Sequence, residues 1–538
     1  MQTIPFTDLP GATRLFIDYL EAPERLRDFF EHDRRDGKTR LAQLSTWSTD
    51  REPVASILLR QARRWNAPAA VEENIAALRR PATFAVVTGQ QMGLFGGPLY
   101  TLYKALATVL YCREFKARFP AYDFVPVFWM ELEDHDFDEI RRTKILAQSG
   151  ELTPMVYDAQ VDHHVRRPVY KIHLSDEVTA LIDRLVEAAG TSDFTPSWSR
   201  ALRDAYRPEN SFSDAFARWM TTLLGEFGLI LMDPSDPEFK TLAAPVFRRE
   251  IDNAGTLHAV LMATSDALKK AGYHAQVETA GSNLFLLLEP PLETPFPHET
   301  TMKLRLDLTT VENHGDFLKS VLSREPRRFI PNVVLRPIVQ DTLLPTFAYI
   351  GGPSEIAYFA QFLGVYRTFE MSSPLILARP FVTVVEKKIG KILDKFDLNL
   401  QRLTARSKTL VDDVALSESP LPSLFAEWRS TSKSALENVQ SALVRIDPSL
   451  KGASETALQR IEHAIQVLEG KATEALKRQS EVSVRQIQKA LDHLYPHERF
   501  QEREINVTYF LNKYGFEFIR HLERSIRLDT TGHQVIAI

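Results

Sequence analysis

The sequence predicts an α/β fold: a parallel-sheet core interrupted by two insertions and followed by an α-helical coiled coil. Three observations carry this. Short apolar runs bounded by turn residues recur at 84–87, 124–130, 229–232, 332–335, 347–350 and 374–377, the pattern of strands buried on both faces. Two such runs pass through Gly-Gly-Pro, at 96–98 and 351–353, into helical spacing, and Pro suits the start of a helix because it has no N–H to lose there. Finally, Leu458, Ile461, Ile465, Leu468, Ala472, Ala475 and Val482 follow 3-4 spacing flanked by Glu, Lys and Arg, which reads as a heptad seam.

At 538 residues the chain is long enough for several domains. Residues 1–150 read as N-terminal helices and the first part of the core, and 151–205 as a first connecting insertion. The core continues over 206–262, a second insertion follows over 263–330, and 331–382 complete the core. Residues 383–500 form the helical coiled coil, which favours a dimerising stalk over an intramolecular bundle, and 501–538 a segment packing back on the core. In the insertions, VRRPVYKIHL near 165–174 alternates, GYHAQVE and NLFLLLE read as two strands, and KLRLDLTT alternates with period two.

The net charge of −5 without a basic block gives no footprint for nucleic acid. A single cysteine, Cys112, excludes an internal disulfide and a multi-thiolate zinc site, and fits a reducing cytoplasm. Cys112 follows Tyr111 inside a helical pattern and reads as a small packing residue before it reads as a nucleophile. No run of about 18 apolar residues occurs, and the N-terminus lacks a basic, apolar leader, so a soluble cytoplasmic protein is expected.

Candidate site residues follow from strand ends, because open parallel sheets gather function outside their carboxyl edges. The turn after Val87 carries Gly89, Gly93, Gly96 and Gly97, and a strand–glycine–helix junction aims N–H groups and a dipole end at an anion. Its spacing is neither of the usual nucleotide fingerprints, and glycine also serves tight turns by geometry alone; Gln90 and Gln91 add amides that orient a polar ligand. The run 124–130 ends in ELEDHDFDEI, where Glu133, Asp134, His135 and Asp136 form either a solvated acidic loop or a site. A metal there is weakly supported because no second His lies at ligand spacing, and no metal is expected. Asp233 ends another run and reads as a helix cap, while His274 reads as a structural hydrogen-bonder. The second Gly-Gly-Pro brings Gly351, Gly352, Glu355 and Tyr358 together with Arg336, Gln340 and Asp341 at one edge, and Arg336 suits a carboxylate or phosphate. Arg379 follows the last run, and Tyr495, Asn506, Tyr509, Asn512, Lys513 and Tyr514 supply groups suited to an adenine or phosphate, or to helix packing.

Four stretches, TGQQMGLFGGPLYTLYKA (88–105), PVFWMELEDHDFDEI (126–140), NVVLRPIVQDTLLPTFAYIGGPSEIAYFAQF (332–362) and FLNKYG (510–515), resemble the BshC family of bacillithiol biosynthesis. The resemblance runs in order over most of the chain. It implies a Rossmann-like core similar to class I aminoacyl-tRNA synthetases, two connecting insertions and a coiled coil that makes a homodimer. It also implies a ligase that joins the carboxyl group of L-cysteine to the amine of glucosaminyl-malate. Amide formation in water is uphill, so this activity calls for an adenylate or acyl phosphate and hence for ATP with Mg. The class I signature motifs are missing, and Thr88–Gly97 stands in the place of the first by topology alone.

On this reading His135 is the base, oriented by Asp134 or Asp136, because imidazole titrates in the useful range. Gln90, Gln91, Gly96, Gly97, Arg336, Gln340, Gly351, Gly352, Glu355 and Tyr358 bind substrate, and Arg379, Tyr495, Asn506, Asn512 and Lys513 the nucleotide. The alternatives are a related nucleotidyl or aminoacyl transferase acting on another small amine, and a coiled-coil scaffold without catalysis.

Overall fold

The computed structural model describes residues 2–47, 49–134, 136–158, 168–279, 281–290, 292–296, 303–417, 419–528 and 531–538. They fall into two units, Met1–Thr383 with Gln501–Ile536, and Val384–Phe500 with Ala537–Ile538.

The first unit is built on five parallel strands: β1 (Thr83–Gln91), β2 (Asp123–Glu131), β3 (Ile230–Met232), β4 (Thr346–Gly351) and β5 (Leu375–Ala378). Their spatial order is β3-β2-β1-β4-β5. That matches five strands of the Rossmann order 3-2-1-4-5-6, with the topological switch between β1 and β4. The middles of the strands are mostly apolar because both faces are covered. Ala85, Val87, Val125, Val127, Ile230 and Ile376 enter one core, whereas Phe84, Val86, Phe124, Ala348, Ile350 and Leu375 enter the other. Neighbouring residues thus alternate between cores, as a pleated strand requires. Each of these Val, Ile, Leu and Phe side chains taken out of water contributes about 1.5–3 kcal/mol, so a register slip of one residue is strongly disfavoured.

Helices Leu99–Arg118 and Pro353–Thr368 follow β1 and β4 directly, and Pro237–Lys270 follows β3. Pro98 is the residue before the first helical position, and Pro353 is the first helical residue itself. Asp233 accepts hydrogen bonds from the Ser235 N–H (2.8 Å) and hydroxyl (2.5 Å), and the cap of the 237–270 helix is Asp236. The expected strand at 332–335 is a turn. The Asn332 side-chain oxygen accepts the N–H groups of Val334 (2.9 Å) and Leu335 (3.2 Å) and leads into helix Arg336–Leu343.

The first insertion begins with an antiparallel pair, Arg142–Leu146 with Leu152–Val156, and continues in helices Glu177–Ala189 and Thr195–Ala205. Of the alternating stretch at 165–174, residues 165–167 lie outside the described residues and Val169–Lys171 form one tight helical turn. The second insertion holds an antiparallel sheet in which Leu284–Leu287 lies between Lys303–Arg305 and Phe329–Pro331. GYHAQVE is irregular instead of a strand. The Gln361 side chain takes the backbone of Gln276 and Val277 (N–H to Oε1, 2.8 Å each), occupying groups that a ladder would need. KLRLDLTT splits into the short strand Lys303–Arg305 and helix Leu308–Arg324, which Asp307 caps through the Thr310 N–H (2.6 Å).

In the second unit, helices Leu421–Ile446 and Leu450–Gln479 form an antiparallel hairpin within one chain, bridged by Arg429 and Glu469. Of the heptad positions on the hairpin, Ile465 is buried, whereas Leu468 is 49% exposed, so the hairpin covers only part of its seam; Val482 falls on the next helix, Glu481–Leu494. Among the described residues no helix is long and apolar enough to cross a membrane.

Candidate active site

A cleft of about 560 Å³ opens at the carboxyl ends of β1, β2 and β4, within the range that suits a small-molecule site. Gly89, Gln90 and Gln91 form its floor with Glu131–Asp134, and Gly352–Glu355 close one side. The second insertion supplies a wall from Phe285, Lys303 and Ile330, which Pro331 and Asn332 continue. Gly89 is required by close approach: a Cβ there would stand 3.0 Å from the Arg336 guanidinium and 3.3 Å from the Glu131 carboxylate.

Lys104, one turn into the helix after β1, ties the two sides of the switch point together. Its buried Nζ donates to the Gly89 carbonyl (2.5 Å), Gln90 Oε1 (3.2 Å) and Glu355 Oε2 (2.7 Å), using all three of its hydrogens. Glu355 also accepts the Gly352 N–H (2.7 Å) and the Tyr349 hydroxyl (2.7 Å). Burial alone would raise the Glu355 carboxyl; Lys104 and these donors outweigh it and hold the group below the usual carboxylate range. Burial likewise draws Lys104 down, and Glu355 opposes this.

Arg336 stands beside this clasp. It pairs with Glu131 Oε1 at 2.5 Å and donates to the Tyr358 hydroxyl at 2.8 Å. Glu131 is pushed up by burial, against the pull of Arg336, with Glu133, Glu355 and Asp134 adding to the rise. Glu139 on the same rim is also raised, chiefly by burial. Glu133 pairs with Lys240, and its backbone carbonyl accepts from Lys303 (2.8 Å). The cleft is therefore lined by alternating cations and carboxylates, an arrangement that can hold a zwitterion and its reaction partner without a net field of one sign. Among the described residues no three His, Cys, Asp or Glu converge as metal ligands.

Of the residues singled out in the sequence, Gln90, Gln91, Asp134, Arg336, Gly352, Glu355, Tyr358 and Arg379 converge on this cleft. Gln91 donates to Asp134 (3.4 Å), and Gln90 to the Tyr100 hydroxyl (3.1 Å). His135 lies outside the described residues. Asp136 caps the short helix Phe137–Ile140 through the Glu139 N–H (3.1 Å). Gln340 is fully buried with its amide on Asp341 (2.9 Å), and Gly351 ends β4 behind the cleft lining. Cys112 is a buried packing residue whose thiol burial pushes well up.

Gly96 and Gly97 do not line the cleft. They have φ of +92° and +70°, Gly96 packs on Trp219, and the Leu99 N–H is taken by the Ile505 carbonyl (3.0 Å), so the expected anion cradle is filled by the protein itself. Asn506 and Asn512 are structural for the same reason. The Asn506 amide donates to the carbonyls of Phe95 (3.1 Å) and Gly97 (2.8 Å), and Asn512 joins Thr195, Trp198, Ala189 and Gly190. Lys513 lies against the Tyr509 ring, 4.2 Å from its centre, and Tyr495 belongs to the second unit. Arg379 reaches the cleft but is gripped by Glu502 through two bonds (2.6 and 3.0 Å).

Sequence reasoning missed Lys104, Glu131, Lys303 and Arg503, which all line the cleft. Lys104 and Glu131 stood in plain view: Glu131 is the polar residue that ends β2, and Lys104 lies on the helix that leaves the first turn.

Residues 1–380 match the family described as "Bacillithiol biosynthesis BshC, N-terminal Rossmann-like domain", and residues 382–538 its "C-terminal coiled-coil domain". The "Putative cysteine ligase BshC" of Salinibacter ruber is 38% identical over 530 residues, which cover 97% of this chain and 96% of that protein. The protein of the same name from Chlorobaculum tepidum is 34% identical, covering 99% of this chain and 98% of its own. A third, from Bacillus cytotoxicus, is 28% identical with 97% of each chain covered. With both domains matched in order and relatives aligned end to end, the chain belongs to the BshC family of bacillithiol biosynthesis.

Proposed function

We propose that this protein joins the carboxyl group of L-cysteine to the amine of glucosaminyl-malate, forming the amide of a bacillithiol-type thiol. The relatives' shared name, a cysteine ligase, supports the amino acid. The observation that carries the reading is the cleft at the β1–β4 switch point, where Arg336 and Lys104 face Glu131 and Glu355 in a space sized for small polar substrates.

The reaction needs an activated carboxylate. A cysteine carboxylate oxygen attacks a phosphorus of ATP, displacing pyrophosphate or ADP. The amine nitrogen then attacks the acyl carbon, AMP or phosphate departs, and the amine proton passes to a base. Glu131 suits that base, because burial raises it towards working pH. His135, the base expected from the sequence, adjoins Asp134, and His135→Ala with undiminished turnover removes it from the mechanism. Arg336 orients a carboxylate, Glu355 keeps the Gly352 turn in place, and Arg379 and Arg503 offer cations to nucleotide phosphates beside Tyr100. Magnesium enters this reading on the nucleotide.

Mass spectrometry of the purified chain with cysteine and glucosaminyl-malate, with and without ATP–Mg, tests it. Amide product only with ATP, accompanied by AMP or ADP, is expected; product from another small amine in preference would move the assignment to a related transferase. The same reading pairs two copies through the helical hairpin, since Leu424, Trp428, Val439, Ile446 and Leu468 expose apolar surface on it. Sedimentation velocity showing a monomer at micromolar concentration would refute that pairing.

A further inference from the structure

We propose that Lys303, presented by the second insertion, is an oxyanion anchor of the cleft, taking a carboxylate or phosphate oxygen of a substrate. The proposal rests on the reading of this cleft as the active site and adds a substrate contact from outside the sheet. Lys303 lies on the short strand Lys303–Arg305, which is held antiparallel to Leu284–Leu287. It is 5% exposed, yet it lines the cleft.

An ammonium has three hydrogens to place. Among the described residues, one goes to the Glu133 carbonyl (2.8 Å), and the group rests 4.2 Å from the centre of the Phe285 ring. The ring satisfies charge but accepts no full hydrogen bond, so the donors not used on Glu133 have no acceptor among the described residues, and Lys303 lines the cleft. Glu133 cannot take them as a carboxylate partner without sharing, because its side chain is engaged by Lys240. Burial lowers the Lys303 ammonium from the ordinary lysine range, opposed chiefly by Asp134 and Glu133. A buried cation with unfilled donors is costly until an acceptor arrives, and an incoming oxyanion supplies both charge and acceptor. Lys104 contrasts with it: its three hydrogens are all spent on protein acceptors.

Cysteine and glucosaminyl-malate carry carboxylates and ATP carries phosphates, so the source is read by separate arms. The full-length protein and its Lys303→Met and Lys303→Arg variants are titrated calorimetrically with malate and, separately, with inorganic phosphate. Kinetic runs then vary cysteine, glucosaminyl-malate and ATP. Lys303→Met is expected to weaken one oxyanion and raise the matching KM by about 10–100-fold, the value of a charged hydrogen bond, with Lys303→Arg closer to wild type. Loss confined to malate names a carboxylate, and loss confined to phosphate names a phosphate; either supports the anchor. Should the Met variant melt early, Lys303→Gln is titrated in its place. Equal binding of both ions by wild type and variant, or binding of neither by wild type, overturns the proposal. Failure is separable from that of the ligase reading. A wild type that binds malate through Lys303 but makes no amide sinks the ligase, whereas a fully active Lys303→Met with unchanged KM values sinks the anchor.

Discussion

The two Gly-Gly-Pro turns share letters, a preceding strand and a following helix, and they do opposite things. At 96–98 the turn is closed on itself: Gly97 stands at φ +70°, its carbonyl is held by Asn506, and the Leu99 N–H is held by Ile505. At 351–353, Gly352 has φ −84°, its N–H meets Glu355, and it opens onto the cleft. The first therefore acts as a structural joint and the second as part of the site. The difference lies in what later chain segments bring to each turn: the tail from Gln501 plugs the first, and Lys104 braces the second from across the switch point. Spacing alone cannot distinguish them.

Breaking the brace is the largest expected effect. Glu355→Ala leaves the Lys104 ammonium, 1% exposed, without its counter-charge, a loss of about 3–5 kcal/mol for a buried pair broken on one side. Chemical denaturation reads it, with ligand binding in the cleft lost alongside. Unplugging the first turn comes next. Asn506→Ala strands the Gly97 carbonyl, while the Phe95 carbonyl keeps the Trp219 indole N–H (2.9 Å), and should cost about 1–3 kcal/mol with ligand affinity in the cleft retained, as calorimetry on the folded variant checks.

A matched glycine pair sharpens the contrast. Gly97→Ala forces a side chain onto φ +70°, ψ −163°, a region costing about 1–3 kcal/mol for non-glycine residues. Gly352→Ala has ordinary backbone angles and should change stability by under about 0.5 kcal/mol. Its new methyl would stand 3.5 Å from Glu355 and 3.7 Å from Arg379, so it alters binding in the cleft instead. Parallel melts and titrations separate the two outcomes.

The smallest effect is acid-dependent. Glu355 is held below the ordinary carboxylate range, so its contribution is present above that range and lost as pH falls through the lowered value. The Gly352 amide should lose hydrogen-exchange protection on acidification relative to the Leu99 amide, whose acceptor is the Ile505 carbonyl.

Much of the fold was legible because buried parallel strands are written as unbroken apolar runs, and five of the six expected runs became β1 to β5. The sixth, at 332–335, carried its own warning: Asn332 ahead of Arg336-Pro337 is a turn-and-helix start, and the Val334 N–H bonds to Asn332 instead of a ladder. The site was legible where polar residues stand at or just past the end of a strand, as with Gln90 near the end of β1, Asp134 after β2 and Glu355 in the first turn of the helix after β4. Lys303 was invisible because nothing local says that a segment of the second insertion will reach the end of β2. Asn506 and Asn512 misled for the converse reason. Their amide N–H groups are consumed by carbonyls more than 300 positions away in the sequence.

A crystal structure of the protein with a non-hydrolysable cysteinyl-adenylate analogue tests the central claim most directly. The account predicts the analogue in the cleft between Arg336 and the Gly352 turn, with its cysteinyl amine near Glu131. Density at the Gly96–Gly97 turn with Asn506 displaced, or an empty cleft with the analogue bound elsewhere, would contradict it.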